Sequence, residues 1–226
     1  LNADVGSHTI TVTASDGTAS ATDEFTLTVV NTNDAPTVTS ALADASTNED
    51  ASYSLDASSM CTDVDAGDSL TYTMSGAPST LSISSGTISG TPLNADVGTH
   101  TITVTCTDDS SAAASASDSF VLTVVNTNDA PTVSTAIADS SVDEDSAFSA
   151  SASFGDVDVG DTLSYSMSGA PSTLSIDSST GAISGTPLNA DVGSHTITVT
   201  ASDGTASATD EFTLTVVNTN DAPTVT

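Results

Sequence analysis

The run HTITVTC at residues 100–106 and the run FVLTVV at residues 120–125, closed by NTNDAP at residues 126–131, decide how this chain folds. Ile102, Val104 and Cys106 alternate with threonine in the first run, and Phe120, Leu122 and Val124 occupy every second position of the second. A period of two puts each set on one face of a strand. NTNDAP cannot continue a strand, because Pro lacks the N–H and fixes φ while Asn and Asp favour turns through their side-chain oxygens. The hexapeptide occurs at residues 31–36, 126–131 and 218–223, so its copies lie 95 and 92 residues apart. That period is the size of one antiparallel β-sandwich. The chain is therefore expected to be a tandem array whose junctions are short, stiff and rich in oxygen, a combination that suggests a cation site.

Residues 1–39 recur letter for letter as residues 188–226, which points to recent duplication within a longer polypeptide. The expected division is the C-terminal part of one repeat at 1–33, complete repeats at 34–128 and 129–220, and a linker to the next repeat at 221–226.

Within 34–128 the alternation holds throughout. Weak strands are expected around 37–43 and at Tyr53 and Leu55, the latter broken by the polar loop 62–68. Leu70, Tyr72 and Met74 mark a third strand, Leu81 and Ile83 a fourth, Ile88 a short fifth, and the two runs quoted above the sixth and seventh. No stretch reads as a helix. Seven short half-buried strands separated by turns predict an all-β, Greek-key sandwich of the immunoglobulin-like kind in each complete repeat. Small residues such as Ala150 and Ala152 thin its core, so stability without bound ions is expected to be marginal.

Cys61 closes the second strand and Cys106 the sixth, positions that face one another across the two sheets of such a sandwich. A disulfide is inferred, with a pair of buried free thiols as the alternative. The bond closes a loop of about 45 residues, worth roughly 4 kcal/mol in the chain-entropy model, and implies an oxidising compartment. Phe154 and Ala201, one large and one small apolar residue, stand at the matching positions of the other repeat.

Charge excludes several classes of function. The 226 residues hold no Lys or Arg against 30 Asp and Glu, so acidic self-repulsion is uncompensated, and nucleic acid and anionic membranes are poor partners. The apolar runs are too short to span a membrane. His8, His100 and His195 are one repeat position seen three times at a strand start, and no Gly-X-Ser-X-Gly elbow accompanies them. No enzyme is expected.

Strand order places the acidic turns. The loops between strands two and three and between six and seven belong at the end where the chain enters a sandwich. The end of strand one and the turn between five and six belong at the exit. The 126–131 junction would then gather Glu49 and Asp96, the linker residues Asn126, Asn128 and Asp129, and Asp156, Asp158 and Asp203. Calcium takes about 6 to 8 hard oxygen ligands, and these carboxylates and amides suffice for two or three ions.

NTNDAP, the Asn48-Glu49-Asp50 turn, the Asp63-Val64-Asp65 loop and Asp108 after a strand resemble the calcium motifs of cadherin repeats. GAPSTLSI, SGTPLNADVG and TITVTASDG resemble the dystroglycan-type cadherin-like and immunoglobulin-like modules repeated in large bacterial surface proteins and adhesins. The resemblance covers the whole chain and implies calcium clusters that stiffen an extracellular rod. By position, it implies Asp4, Asn31, Asn33, Asp34, Asp63, Asp65 and Asp108 as ligands at the first junction, and Glu144, Asp191, Asn218, Asn220 and Asp221 at the last. Two departures weaken the exit half of the site: one Asp stands where cadherins carry Asp-X-Glu, and the linker begins with Asn rather than Asp. Asp50, Asp68, Asp145 and Asp161 are equally readable as solvated turn residues.

The expected partners are neighbouring repeats of the same chain. The alternative is a subunit of an extracellular filament or sheath, in which identical chains join and strand complementation completes the front-truncated first repeat.

Overall fold

The structure, a computed structural model, describes residues 1–110 and 112–223. The chain divides into two compact units, Leu1–Asn126 and Thr127–Thr226.

The first unit opens with a hairpin of β1 (Gly6–Ser15) and β2 (Ser20–Val29), in register from Gly6 opposite Val29 to Ser15 opposite Ser20. Beyond the junction lie β3 (Thr37–Val38), β4 (Ala45–Asn48), β5 (Tyr53–Asp56), β6 (Cys61–Thr62), β7 (Thr71–Ser75), β8 (Leu81–Ser84), β9 (Thr87–Gly90), β10 (Gly98–Thr107) and β11 (Ser115–Val125). Six of the seven expected strands stand in place, the second broken in two, whereas the first, expected around 37–43, is only Thr37–Val38 there and resumes beyond that range at Ala45–Asn48. The first breaks because the chain changes sheets: β3 pairs antiparallel with β6, and β4 then joins β11 in parallel. The sheets run β4-β11-β10-β7 and β5-β9-β8, with β3-β6 as a separate pair.

The second unit repeats this plan. Its strands are β12 (Thr132–Thr135), β13 (Ser140–Asp143), β14 (Phe148–Ser151), β15 (Ser153–Gly155), β16 (Ser164–Ser168), β17 (Leu174–Ile176), β18 (Ala182–Gly185), β19 (Gly193–Ser202) and β20 (Ser207–Val217). They form the sheets β13-β20-β19-β16 and β14-β18-β17 and the pair β12-β15.

The inward faces match the sequence pattern. Ile102, Val104, Cys106, Phe120, Leu122 and Val124 are buried, as are Ile197, Val199, Ala201, Phe212, Leu214 and Val216. The hairpin makes the complementary point, because Phe25 is 53% exposed while its sequence twin Phe212 is 1% exposed. Phe212 is covered by strands drawn from residues 132–185, and among the described residues no counterpart packs on the hairpin. Burial here is a property of both sheets together.

Cys61 and Cys106 are bonded. Cys61 sits on β6, separate from β5, so it does not close the second strand as one continuous element. In the second unit Phe154 meets Tyr165 edge to face at 6.1 Å, opposite the fully buried Ala201, and these apolar groups take the place of the bridge. The turn before the sixth strand is where expected, but it is helical, although no stretch of the sequence reads as a helix. It winds as one turn of 3-10 helix at Asn94–Asp96 and Asn189–Asp191, and likewise at Asn2–Asp4. The three histidines latch these turns, with Nε2 placed 2.7, 2.7 and 2.6 Å from the carbonyls of Asp4, Asp96 and Asp191.

Candidate cation sites at the junctions

In the first unit the junction is built by the loop between β6 and β7, the loop after β10 and the linker. The Asp34 backbone N–H donates to Asp65 Oδ2 at 2.6 Å. The Asp65 N–H in turn donates to Asp63 Oδ1 at 2.9 Å, the local turn that Asx residues favour. Asn33 Nδ2 donates to Asp108 Oδ2 at 2.9 Å. Asp108 Oδ1 accepts from the Ser110 hydroxyl and from the N–H groups of Ser110 and Ala114. Asp65 and Asp108 are buried, at 5% and 4% exposure.

The same geometry recurs in the second unit. Asp129 N–H donates to Asp158 Oδ2 at 2.7 Å, Asp158 N–H to Asp156 Oδ1 at 3.0 Å, and Asn128 Nδ2 to Asp203 Oδ2 at 3.1 Å. Linker and loops are thus tied by hydrogen bonds through which five carboxylates become neighbours in each unit once Asp68 or Asp161 is counted. Carboxylate oxygens of Asp63, Asp68 and Asp108 lie within 4.8 Å of one another, as do those of Asp156, Asp158 and Asp161. Asp68 and Asp161 are readable from sequence as solvated turn residues, and the structure brings them into the clusters. Burial, then the neighbouring Asp109 and Asp63, raises the pKa of Asp68. Burial, then Asp158 and Asp156, does the same to Asp161. Asp108 moves the other way, lowered first by the Asn33 amide and then by the Ser110 hydroxyl.

At the exit of the second unit, Glu144 follows β13 and is 2% exposed. Its Oε1 accepts the Thr219 N–H at 2.7 Å. Asn218 and Asn220 fold their amides onto the carbonyls of Thr219 and Asp221. Glu49, also 2% exposed, holds the same place in the first unit, its N–H donating to the Val125 carbonyl at 3.0 Å. Asn31 and Asn126 are exposed linker residues.

The turn between strands five and six departs from the sequence reading. Asp96 and Asp191 use Oδ2 to accept from the N–H of Leu93 or Leu188 and from the hydroxyl of Thr80 or Thr173. Burial works to raise Asp96, and these hydrogen bonds outweigh it and lower its pKa. The side chain that reaches the linker from this turn is the Asn two residues earlier: Asn2 donates to Asp34 Oδ2 at 3.0 Å and to Asp65 Oδ1 at 2.8 Å, and Asn189 donates to Asp221 Oδ2 at 3.2 Å. Asp4 stays exposed beside the Leu1 amino group. Asp50 and Asp145 are turn residues at φ 56° and 58°, outside the clusters.

Three carboxylate oxygens are buried without a hydrogen-bond donor among the described residues: Asp63 Oδ2 and Asp156 Oδ2 in these clusters, and Glu144 Oε2 at the exit of the second unit. A buried anionic oxygen with no donor is costly, and the chain has no Lys or Arg to supply one. Hard, crowded carboxylate oxygens are the ligand type that Ca²⁺ takes.

Comparison with known proteins agrees with this architecture. The family described as "Putative Ig domain" matches residues 35–125 and 130–217. The serine-rich adhesin for platelets of Staphylococcus aureus (strain MRSA252) is 37% identical over 142 residues, 62% of this chain and 10% of the adhesin. Among solved structures, mouse cadherin-23 EC22-24 aligns with a TM-score of 0.57 at 22% identity, covering 94% of this chain and 74% of that one. Protocadherin gamma C5 EC1-3 aligns with a TM-score of 0.53 at 19% identity, covering 93% and 77%. The structural likenesses show a cadherin-like fold. The proteins named above are an adhesin and two cadherin ectodomains, and no described helix is long and apolar enough to cross a membrane.

Proposed function

Because the chain belongs to the Putative Ig domain family, whose tandem sandwiches here resemble those of surface adhesins, we propose that it is an extracellular spacer whose junctions are stiffened by calcium. The observation that carries this reading is the set of donorless buried oxygens of Asp63, Asp156 and Glu144 in a chain without a single Lys or Arg.

Asp63, Asp65, Asp68 and Asp108 would hold the cation at the first junction, with Asp156, Asp158, Asp161 and Asp203 as their counterparts in the second unit. Glu144 and Asp221 would serve at the third. Asn2 and Asn189 position the linker carboxylates of Asp34 and Asp221, and Asn33 and Asn128 reach from the linker to the loop carboxylates of Asp108 and Asp203. Bound calcium supplies positive charge where the chain has none. Without it the carboxylates repel, and the linker is held only by its few hydrogen bonds. With it, the angle between modules is fixed. The function is mechanical, presenting whatever the longer protein carries at a distance of about 30 to 45 Å per module, as strand lengths imply.

Small-angle scattering on the 226-residue chain, in calcium and then in chelator at constant ionic strength, tests this. A longer and straighter particle in calcium is expected. Identical profiles, with no calcium bound by titration calorimetry, would leave an acidic spacer whose turns are only solvated.

A further inference from the structure

The two units share a parallel strand pair and differ in a covalent cross-link. Where the ends of the first sandwich emerge, β4 runs parallel to β11, from Ala45 opposite Leu122 to Asn48 opposite Val125. In the second, β13 runs parallel to β20, from Ser140 opposite Leu214 to Asp143 opposite Val217. Pulling the N-terminal end of one strand against the C-terminal end of its parallel partner loads their hydrogen bonds together, in shear. Both sandwiches therefore resist extension by the same device. They part once it fails, because the Cys61–Cys106 bond closes 45 residues of the first into a loop, and Phe154 and Ala201 provide no such link in the second.

We propose that the disulfide makes the 37–125 sandwich a length-limited extension element beside a neighbour that yields its whole length. On opening, only the segments outside Cys61 and Cys106 straighten, and the bond itself enters the path of the force. The sulfurs are shielded in the folded unit, where Cys61 is 5% and Cys106 0% exposed, so thiols reach them only after extension. The loop withholds about 160 Å at roughly 3.5 Å per residue. This property is independent of whether the junctions hold calcium.

Stretching the oxidised chain by its ends tests the proposal. Two unfolding steps are expected, one shorter than the other by about 160 Å, and two steps of equal full length would overturn it. The double variant Cys61→Phe with Cys106→Ala, which imports the residue pair of the second unit, is expected to make the steps equal. A short step surviving in that variant would also overturn it. Dithiothreitol on the wild-type chain covers the case of a variant that does not fold. One reagent thiolate attacks the extended bridge, the second closes the reagent into a cyclic disulfide, and Cys61 and Cys106 are released as thiols. An added lengthening of about 160 Å is expected only after the short step. Its absence, or its appearance before unfolding, counts against the proposal.

Discussion

The carboxylate of Asp210 accepts the backbone N–H of Ile137 at 2.7 Å, fastening the segment between β12 and β13 to strand β20. Asp118 does the same for Leu42 in the first unit, also at 2.7 Å. Return contacts run from Val121 N–H to Asp44 and from Thr213 N–H to Asp139. Each pair secures the chain where it leaves one sheet for the other, a place where no ladder satisfies the backbone. Asp210→Ala leaves the Ile137 N–H without its charged acceptor and is expected to cost about 1.5 to 3 kcal/mol. Asp210→Asn keeps an acceptor and should cost less. Thermal unfolding of the two variants checks the order, and equal stability of Asp210→Ala and wild type would show that the clamp contributes nothing.

The limits of the sequence are visible at that clamp. Alternation identifies which residues of β10, β11, β19 and β20 face inward, because strand side chains alternate strictly, and the positions of Cys61 and Cys106 in an immunoglobulin-like strand order set them against one another. It does not show where a strand crosses between sheets, so the breaks between β3 and β4 and between β5 and β6 are unreadable, along with the purpose of Asp118 and Asp210. The junctions are legible as oxygen-rich turns, yet the side chains within them sort by local winding. One turn of 3-10 helix turns the Asp96 and Asp191 carboxylates back onto the backbone of Leu93 and Leu188, and Asn2 and Asn189 are the residues that face the linker. The repeated Leu-Asn-Ala-Asp-Val-Gly string holds that signal only as an Asn shared by its three copies. Asp68 and Asp161 are ambiguous in sequence because a turn carboxylate and a cluster carboxylate look alike until the loop is folded.

Asp177 provides a pH test away from the junctions. Hydrogen bonds, first from the Ser179 hydroxyl and then from the Ser179 and Thr180 N–H groups, lower its pKa from 3.8 to about 2. A depressed carboxylate stabilises the fold above its unfolded pKa, near 3.9, and loses that contribution as pH falls through the folded value. The stability difference between wild type and Asp177→Asn is therefore expected to be constant above about pH 5 and to shrink between about pH 4 and 2. A carboxyl titration followed by NMR with its midpoint near the ordinary value would refute the assignment.

Gly169 cannot carry a side chain. Its φ is +76°, and a Cβ would lie 2.1 Å from the Thr196 carbonyl oxygen on β19, so Gly169→Ala must both strain the turn and push β19 away. A loss of at least about 2 kcal/mol is expected. Gly160, at φ +107°, has open space where a Cβ would stand, with nothing within 4 Å. Gly160→Ala therefore carries only the conformational penalty, about 1 kcal/mol. Denaturant midpoints that fall equally for the two variants would contradict the close approach.

Glu144 separates the calcium reading from a purely structural one. Its Oε1 holds the Thr219 N–H at 2.7 Å, and its Oε2 is buried with no donor among the described residues. Glu144→Gln keeps the carbonyl acceptor for Thr219 and removes the buried negative charge. If that charge exists to meet a cation, the variant is at least as stable as wild type in chelator, because the repulsion and desolvation of an unpaired carboxylate are gone. In calcium the order reverses, since wild type gains stability from binding to the folded state, about 2.7 kcal/mol at one hundred times Kd for a single site, and the variant gains less. Thermal unfolding of both proteins in calcium and in chelator gives the four values needed. A variant that loses the same stability in both media would make Glu144 a backbone acceptor alone, and the third junction would drop out of the calcium reading while the Asp63 and Asp156 clusters remained to be titrated by their own variants.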